Sequence, residues 1–152
     1  MVTWEEITAA VGLTLSGARE EGGAALKRCW DQTAEGNHAE RCVLAHYLAD
    51  LEFDVSDEVV WDEQALANFA HVDDEDLAVL GIASARGLAP SLHLNLGDGY
   101  LRQGRLQEAR AQLAAGLAHQ DALADDGYGA LIRNGLQDLS TRITAASGSA
   151  DR

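Results

Sequence analysis

Apolar residues recur three and four positions apart along most of the chain, a spacing typical of amphipathic α-helices. Ala39, Val43 and Tyr47 give one example, each four positions from the next. Short stretches with glycine, such as residues 35–37, separate the periodic segments. The 152 residues include a single proline and only 5% aromatic side chains, which disfavours a β-sandwich or a β-barrel. The sequence therefore predicts an all-α protein.

The periodic segments divide the chain into eight predicted helices with short connections, so successive helices should pack antiparallel. The first follows Thr3, which forms a capping-box pattern with Glu6, and Ser56 is the predicted N-cap of the fourth. The later helices are predicted at about 18–33, 38–51, 57–69, 74–86, 90–102, 106–119 and 124–143. Residues 1–144 are predicted to form one domain, and residues 145–152, rich in Ser, Gly and Ala, a flexible tail.

The charge balance excludes several classes of partner. The chain has 25 acidic and 11 basic residues, a formal net charge of -14. A nucleic-acid binder must neutralise phosphates, and docking on anionic membranes needs basic residues as well, so we expect neither. A hydrophobic fraction of 47% is too high for a disordered acidic segment.

The same composition gives an expectation about location and source. The sequence has no window of ~18 apolar residues, the length of a spanning helix, and it lacks the basic start of a signal peptide. Its two cysteines are too few for a disulfide framework, so a cytoplasmic protein is expected. Lys27 is the single lysine among the basic residues, and together with the many alanines this indicates a GC-rich bacterial genome.

The sharpest local pattern lies in residues 90–121 and consists of small and large residues at fixed spacing: Leu96, Gly97, Tyr100, Gly104, Ala109 and Leu113. This pattern resembles the tetratricopeptide repeat, a helix–turn–helix unit of about 34 residues. In such a unit the small residues allow the two helices to cross closely, and the large ones fill the space between hairpins. His93, Gly116 and Asp121 depart from the family's usual residues.

Two earlier segments resemble the repeat more loosely. Residues 20–51 share its spacing at Leu26, Trp30, Ala39 and Val43, but have Lys27 where the family has glycine. A middle unit at about 56–90 is indicated by Phe69, Ala78, Ile82, Ala85 and Pro90. The resemblance implies antiparallel helical hairpins stacked as a short right-handed superhelix, with residues 124–143 as a C-terminal capping helix. An ordinary Ala- and Leu-rich helix bundle is the alternative.

One helix carries residue types that can bind a metal ion. His38, Cys42 and His46 are spaced four apart, and Cys29 lies on the neighbouring predicted helix. Zinc accepts both residue types, but two helical turns separate the three ligands by about 12 Å, too far for one ion. We therefore expect these side chains to fill the interior and predict no metal, no cofactor and no catalytic site. The acidic run 73–76 fits a solvated helix start.

The resemblance also implies a concave groove lined by the first helix of each unit. The tentative partner-binding residues on that groove are Arg28, Asp31, Glu63, Gln64, Leu94, Asn95, Asp98, Leu101 and Arg102. Some members of the family clamp the acidic C-terminus of a chaperone with basic residues, but Asp31, Glu63 and Asp98 oppose such a ligand. The sequence predicts a non-catalytic interaction module that binds an apolar or basic peptide or helix. The alternatives are a self-associating homodimeric scaffold and a metal-binding protein or enzyme that uses His38, Cys42 and His46.

Overall fold

A computed structural model describes residues 1–82 and 84–150, and this part of the chain contains helices and no strand. The all-α prediction is confirmed. The described α-helices are α1 (Trp4–Leu15), α2 (Arg19–Asp31), α3 (His38–Ala49), α4 (Val55–Phe69), α5 (Asp74–Leu77), α6 (Ala89–Arg102), α7 (Leu106–Ala118) and α8 (Gly127–Ala150). Short 3₁₀ helices span Ala78–Leu80, Ala85–Leu88 and Gln120–Ala122.

The helix starts follow the polar residues of the sequence. Thr3 and Glu6 form the expected capping box on α1. The N-cap of α4 is Asp54 and not the predicted Ser56, because a carboxylate oxygen of Asp54 accepts the backbone N–H of Ser56 at 2.7 Å. An aspartate at this position satisfies a helix N–H group that has no partner within the helix.

The predicted fifth helix is wrong in length. Only one α-helical turn, Asp74–Leu77, forms there, and the chain then tightens into the 3₁₀ turn Ala78–Leu80. Gly81 follows with φ of +77°, a left-handed conformation that ends the helix. Leu77 of this turn is fully buried, whereas Val79 is 64% exposed. The described residues between 56 and 90 contain one long helix, α4, followed by the short α5 and two 3₁₀ helices, and the assignment of a middle repeat there stays a prediction.

The segment predicted as a flexible tail is helical as far as the structure describes it. Helix α8 continues through Ala145 to Ala150, while residues 151–152 lie outside the described part of the chain. Ala145 and Ala146 favour helix, and no proline interrupts the segment. The helix begins at Gly127, three residues later than predicted at 124, where a carboxylate oxygen of Asp126 accepts the N–H of Gly129 at 2.8 Å.

The chain divides into two compact units, an N-terminal unit (Met1–Val79) and a C-terminal unit (Leu80–Arg152). The sequence predicts one domain over residues 1–144, a range that includes most of both units. In the N-terminal unit the closest helix pairs are α1 with α2 and α3 with α4. The predicted repeat at 20–51 instead pairs α2 with α3, which pack less extensively.

The core of the N-terminal unit joins α1, α2 and α3. Ile7, Leu26 and Leu44 are fully buried in one cluster. Beside this cluster the rings of Trp30 and Trp61 meet edge to face, with centroids 5.0 Å apart. The fold of this unit therefore rests on aliphatic burial with one aromatic pair at its edge.

The C-terminal unit is built on close approaches at two glycines. A Cβ atom on Gly97 of α6 would lie 3.3 Å from the Cβ of Gln112 in α7 and 2.9 Å from Cδ2 of Leu139 in α8. A Cβ on Gly116 of α7 would lie 3.5 Å from the Cβ of His93 and 2.9 Å from Cδ2 of Leu136. These pairings run α7 antiparallel to α6, and α8 packs over both.

The turn between α6 and α7 follows the sequence prediction. Gly104 has φ of +76°, a left-handed conformation that glycine adopts without a steric penalty. The N–H of Arg105 bonds to the carbonyl of Tyr100 at 2.8 Å. The two helices are therefore joined by a tight three-residue connection.

Candidate partner-binding surfaces

The predicted groove residues of the N-terminal unit lie on two helices. Arg28 and Asp31 are exposed on α2, and Glu63 and Gln64 are exposed on α4. These side chains are accessible from solvent, as a partner-binding role requires. Whether one partner uses both pairs stays a prediction.

The five predicted groove residues of the C-terminal unit all lie on α6, and α8 covers part of this helix. Leu94 contacts the Gly135 position of α8 and packs against the buried Ile132 and Leu136. It therefore contributes to the core of this unit. Asn95 and Leu101 are half-buried.

Asp98 lies between two arginines. Its carboxylate accepts from Arg102 at 2.9 Å and from Arg142 of α8 at 2.8 Å. Arg142 also pairs with Asp138 at 2.8 Å. The sequence predicts that Asp98 opposes an acidic ligand of the groove. In the structure, Arg102 and Arg142 compensate the charge of this carboxylate, so Asp98 adds little to the negative potential of the surface.

The net charge belongs to one unit. The N-terminal unit contains 18 of the 25 acidic residues and four of the 11 basic residues, while the C-terminal unit contains seven of each, counting residues 151–152. The whole formal charge of -14 therefore lies on the N-terminal unit. An excess of negative charge on one part of a protein attracts cations and repels anions in general.

The N-terminal unit has a cleft of about 430 Å³ that we call the histidine cleft. Its lining residues come from the start of α1, the start of α3 and the region of α5: Trp4, Gly36, Asn37, His38, Ala39, Glu40, His71, Glu75, Asp76 and Val79. The rings of His38 and His71 stack with centroids 4.4 Å apart and planes 27° apart. Three aromatic side chains and three carboxylates thus line one concave surface.

A buried asparagine fixes the protonation pattern of His38. The Nδ2 group of Asn68 donates to the carbonyl of Gln64 at 2.9 Å, so its Oδ1 is the atom 3.0 Å from Nδ1 of His38. Because Oδ1 only accepts, Nδ1 of His38 carries the proton. In the neutral ring Nε2 is then a hydrogen-bond acceptor.

A second cleft in the N-terminal unit has a different character. It measures about 500 Å³, and its lining residues are Arg19, Glu20, Gly23, Ala24, Lys27, Leu51, Glu52 and Phe53. Phe53 is 99% exposed. Two basic and two acidic side chains line this cleft, so its charge favours neither cationic nor anionic ligands.

The cysteines considered as metal ligands lie in the interior of the N-terminal unit. Cys29 and Cys42 are both free and buried. Burial raises the pKa of the Cys42 thiol to about 12, and it raises the pKa of Cys29 too. Burial lowers the pKa of His46. Within the described residues, no group of three or more His, Cys, Asp or Glu side chains could hold a metal ion.

His71 and Asp121 form contacts that the sequence did not predict. His71 stacks on His38 across 33 positions of sequence, and its place beside an acidic run was the only signal available. Asp121, a departure from the repeat pattern, pairs with Arg86 at 2.7 Å. This hydrogen bond lowers the pKa of Asp121 and ties the start of the C-terminal unit to the end of α7.

In the described part of the chain, no individual helix combines the length and apolar character needed to cross a membrane. Two consecutive segments, Asp74–Leu80 and Ala85–Arg102, reach that length and composition only when they are counted together.

Comparison with known proteins gives no relative. No protein-family model matches the chain, and no curated protein or solved structure matches it significantly.

Proposed function

We propose that this protein is a non-catalytic protein-interaction module that contains a tetratricopeptide-like hairpin and binds a peptide or helix of basic or apolar character. A cytoplasmic location in a bacterium stays the expectation from the sequence.

The packing of α6, α7 and α8 supports the repeat-like part of the proposal. Gly97 and Ala109 allow close approach where the pattern places small residues, and Gly104 forms the turn. Helix α8 packs next to both helices, as the first helix of a following unit or a capping helix does in a stacked array. A single hairpin of this kind cannot bury its apolar face alone, so α8 covers part of it. The surface that α8 leaves uncovered is available for a partner.

The charge of the N-terminal unit supports a basic partner and is the observation on which the proposal chiefly depends. An excess of 14 acidic residues within Met1–Val79 gives a strongly negative potential, and complementary charge accelerates association and selects partners. Asp31 and Glu63 are exposed there, so they add to this potential.

Binding to an array of short peptides tests the proposal. Basic and mixed basic–apolar peptides should bind, and peptides ending in acidic residues should not. A preference for acidic C-termini would exclude the proposed partner class, because an acidic surface cannot attract them.

Exposed apolar side chains support self-association as a second candidate. Leu131 and Tyr128 of α8 are 66% and 50% exposed, and Leu117 of α7 is 39% exposed. Tyr128 and Leu131 are three positions apart in α8 and so lie on one face of this helix, and a contiguous exposed apolar patch marks a surface for interaction. Light scattering over a range of concentrations should show a dimer if this surface pairs two copies, and Leu131→Asp should then restore the monomer. A monomer at all concentrations excludes this role.

A further inference from the structure

The histidine cleft has the size of a ligand site. Its volume of about 430 Å³ lies in the range of roughly 300–1,000 Å³ that is usual for ligand pockets, so a long side chain fits. Trp4 and the stacked rings of His38 and His71 line this cleft. The face of a tryptophan ring attracts a cation such as the guanidinium group of arginine.

The cleft also has a polar atom held in a fixed orientation. Asn68 is 7% exposed and holds Nδ1 of His38 through its Oδ1. This hydrogen bond limits the rotation of the imidazole, and in the neutral ring it leaves Nε2 as the acceptor. A ligand that donates hydrogen bonds therefore suits this wall better than one that accepts them.

The carboxylates of the cleft differ in their availability. One oxygen of Asp76 accepts the N–H of Asp73 at 2.9 Å, so this residue supports the start of α5. Glu40 and Glu75 form no ion pair or side-chain hydrogen bond with any other residue that the structure describes. Among the residues that the structure describes, no lysine or arginine lines the cleft, so no described cation there compensates these two negative charges.

We propose that the histidine cleft binds an arginine side chain from a basic segment of the partner. The guanidinium group is planar and has five N–H donors and no acceptor, which matches the rings, the carboxylates and Nε2 of His38. The ammonium group of lysine lacks the planar face, so it should bind more weakly at this cleft. This inference rests on the proposed function: it places the partner's contact in the histidine cleft and identifies arginine as the residue that the partner inserts there.

The test measures binding of a fluorescein-labelled, alanine-based peptide with several arginines to the full chain by anisotropy. Two double variants carry the same loss of charge: Glu40→Gln with Glu75→Gln in the cleft, and Glu20→Gln with Glu21→Gln on α2, outside it. The cleft variant should weaken binding roughly tenfold or more, and the control about twofold, through the general potential alone. Circular dichroism checks that both variants fold.

The same peptide is titrated into ¹⁵N-labelled protein, where the largest shift changes should fall on the Trp4 indole and on the amides of His38 and His71. A peptide with lysine in place of arginine should bind more weakly. If the two double variants weaken binding equally, the cleft is not the site, while the proposed function stands. If the arginine peptide fails to bind and an apolar peptide binds, the inference is wrong and the interaction module remains. If neither binds, the proposed function is contradicted as well.

Discussion

The crossing of α1 and α2 leaves no room for a side chain at Gly22. A Cβ atom there would lie 2.8 Å from the backbone nitrogen of Thr14 and 3.1 Å from its Cα, and would also overlap the Thr14 methyl group. A backbone atom cannot move away by changing a rotamer, so Gly22→Ala must push the two helices apart. Overpacking of a tight contact costs about 1–3 kcal/mol, and contact with backbone places this site near 3.

Two other glycines isolate this cost from the intrinsic preference of alanine for helix. Gly12 of α1 has nothing within 4 Å of the Cβ position, and the Cβ of Gly23 would meet only Cδ1 of Leu51, at 3.3 Å. Alanine in a helix is favoured over glycine by about 1 kcal/mol. Gly12→Ala should therefore stabilise the unit by about 1 kcal/mol, and Gly22→Ala should destabilise it by about 2 kcal/mol. Their difference, about 3 kcal/mol, is the steric term alone.

Tryptophan fluorescence during urea unfolding measures the effect in the correct unit, because Trp4, Trp30 and Trp61 all lie in Met1–Val79. We expect the midpoint to fall for Gly22→Ala and to rise for Gly12→Ala, with Gly23→Ala between them. A Gly22→Ala protein as stable as Gly12→Ala would refute the helix crossing described above.

Four further predictions concern stability and reactivity. Leu139→Ala removes a fully buried side chain and should cost about 3 kcal/mol in unfolding followed by circular dichroism; a loss below about 1 kcal/mol would contradict its burial. Asp54→Ala removes the cap of α4 and should cost about 1 kcal/mol by tryptophan fluorescence, whereas an unchanged midpoint would exclude that cap. Cys42, whose pKa is raised to about 12, should react with a thiol reagent at neutral pH only after unfolding, and fast labelling of the folded chain would show that it is accessible. Burial lowers the pKa of His46 below its ordinary value of 6.5, so the unfolded chain binds the proton at a higher pH than the folded chain. The free energy of unfolding should therefore fall as the pH drops below about 6.5. His46→Gln should reduce this fall in denaturant titrations at several pH values, and an unchanged pH profile would show that other groups cause it.

Sequence patterns predicted local structure where several signals agreed. The predicted ranges of α6 and α7 match the structure to within about one residue, because Pro90 opens one helix and Gly104 separates the two. The helix predicted at 74–86 is shorter in the structure. Its prediction depended on the spacing of Leu77, Leu80, Ile82 and Ala85. Gly81, with φ of +77°, ends the helical turns inside that pattern.

The candidate surfaces were less predictable, because they depend on contacts between distant residues. The stack of His38 on His71 and the pair of Asp98 with Arg142 join positions more than thirty residues apart. Spacing along one helix cannot indicate such pairs. The sequence shows that acidic residues are concentrated in the first half of the chain. The structure assigns this excess to one compact unit, because the chain divides near residue 79.

Titration calorimetry of the full chain with the arginine peptide and with its glutamate counterpart tests the central claim, that the acidic N-terminal unit recruits a basic partner. We expect saturable binding of the arginine peptide that weakens as salt is added, since exposed charges are screened beyond about 10 Å at 0.1 M ionic strength, and no binding of the glutamate peptide. Equal binding of the two peptides, or binding of the arginine peptide that salt does not weaken, would contradict the claim.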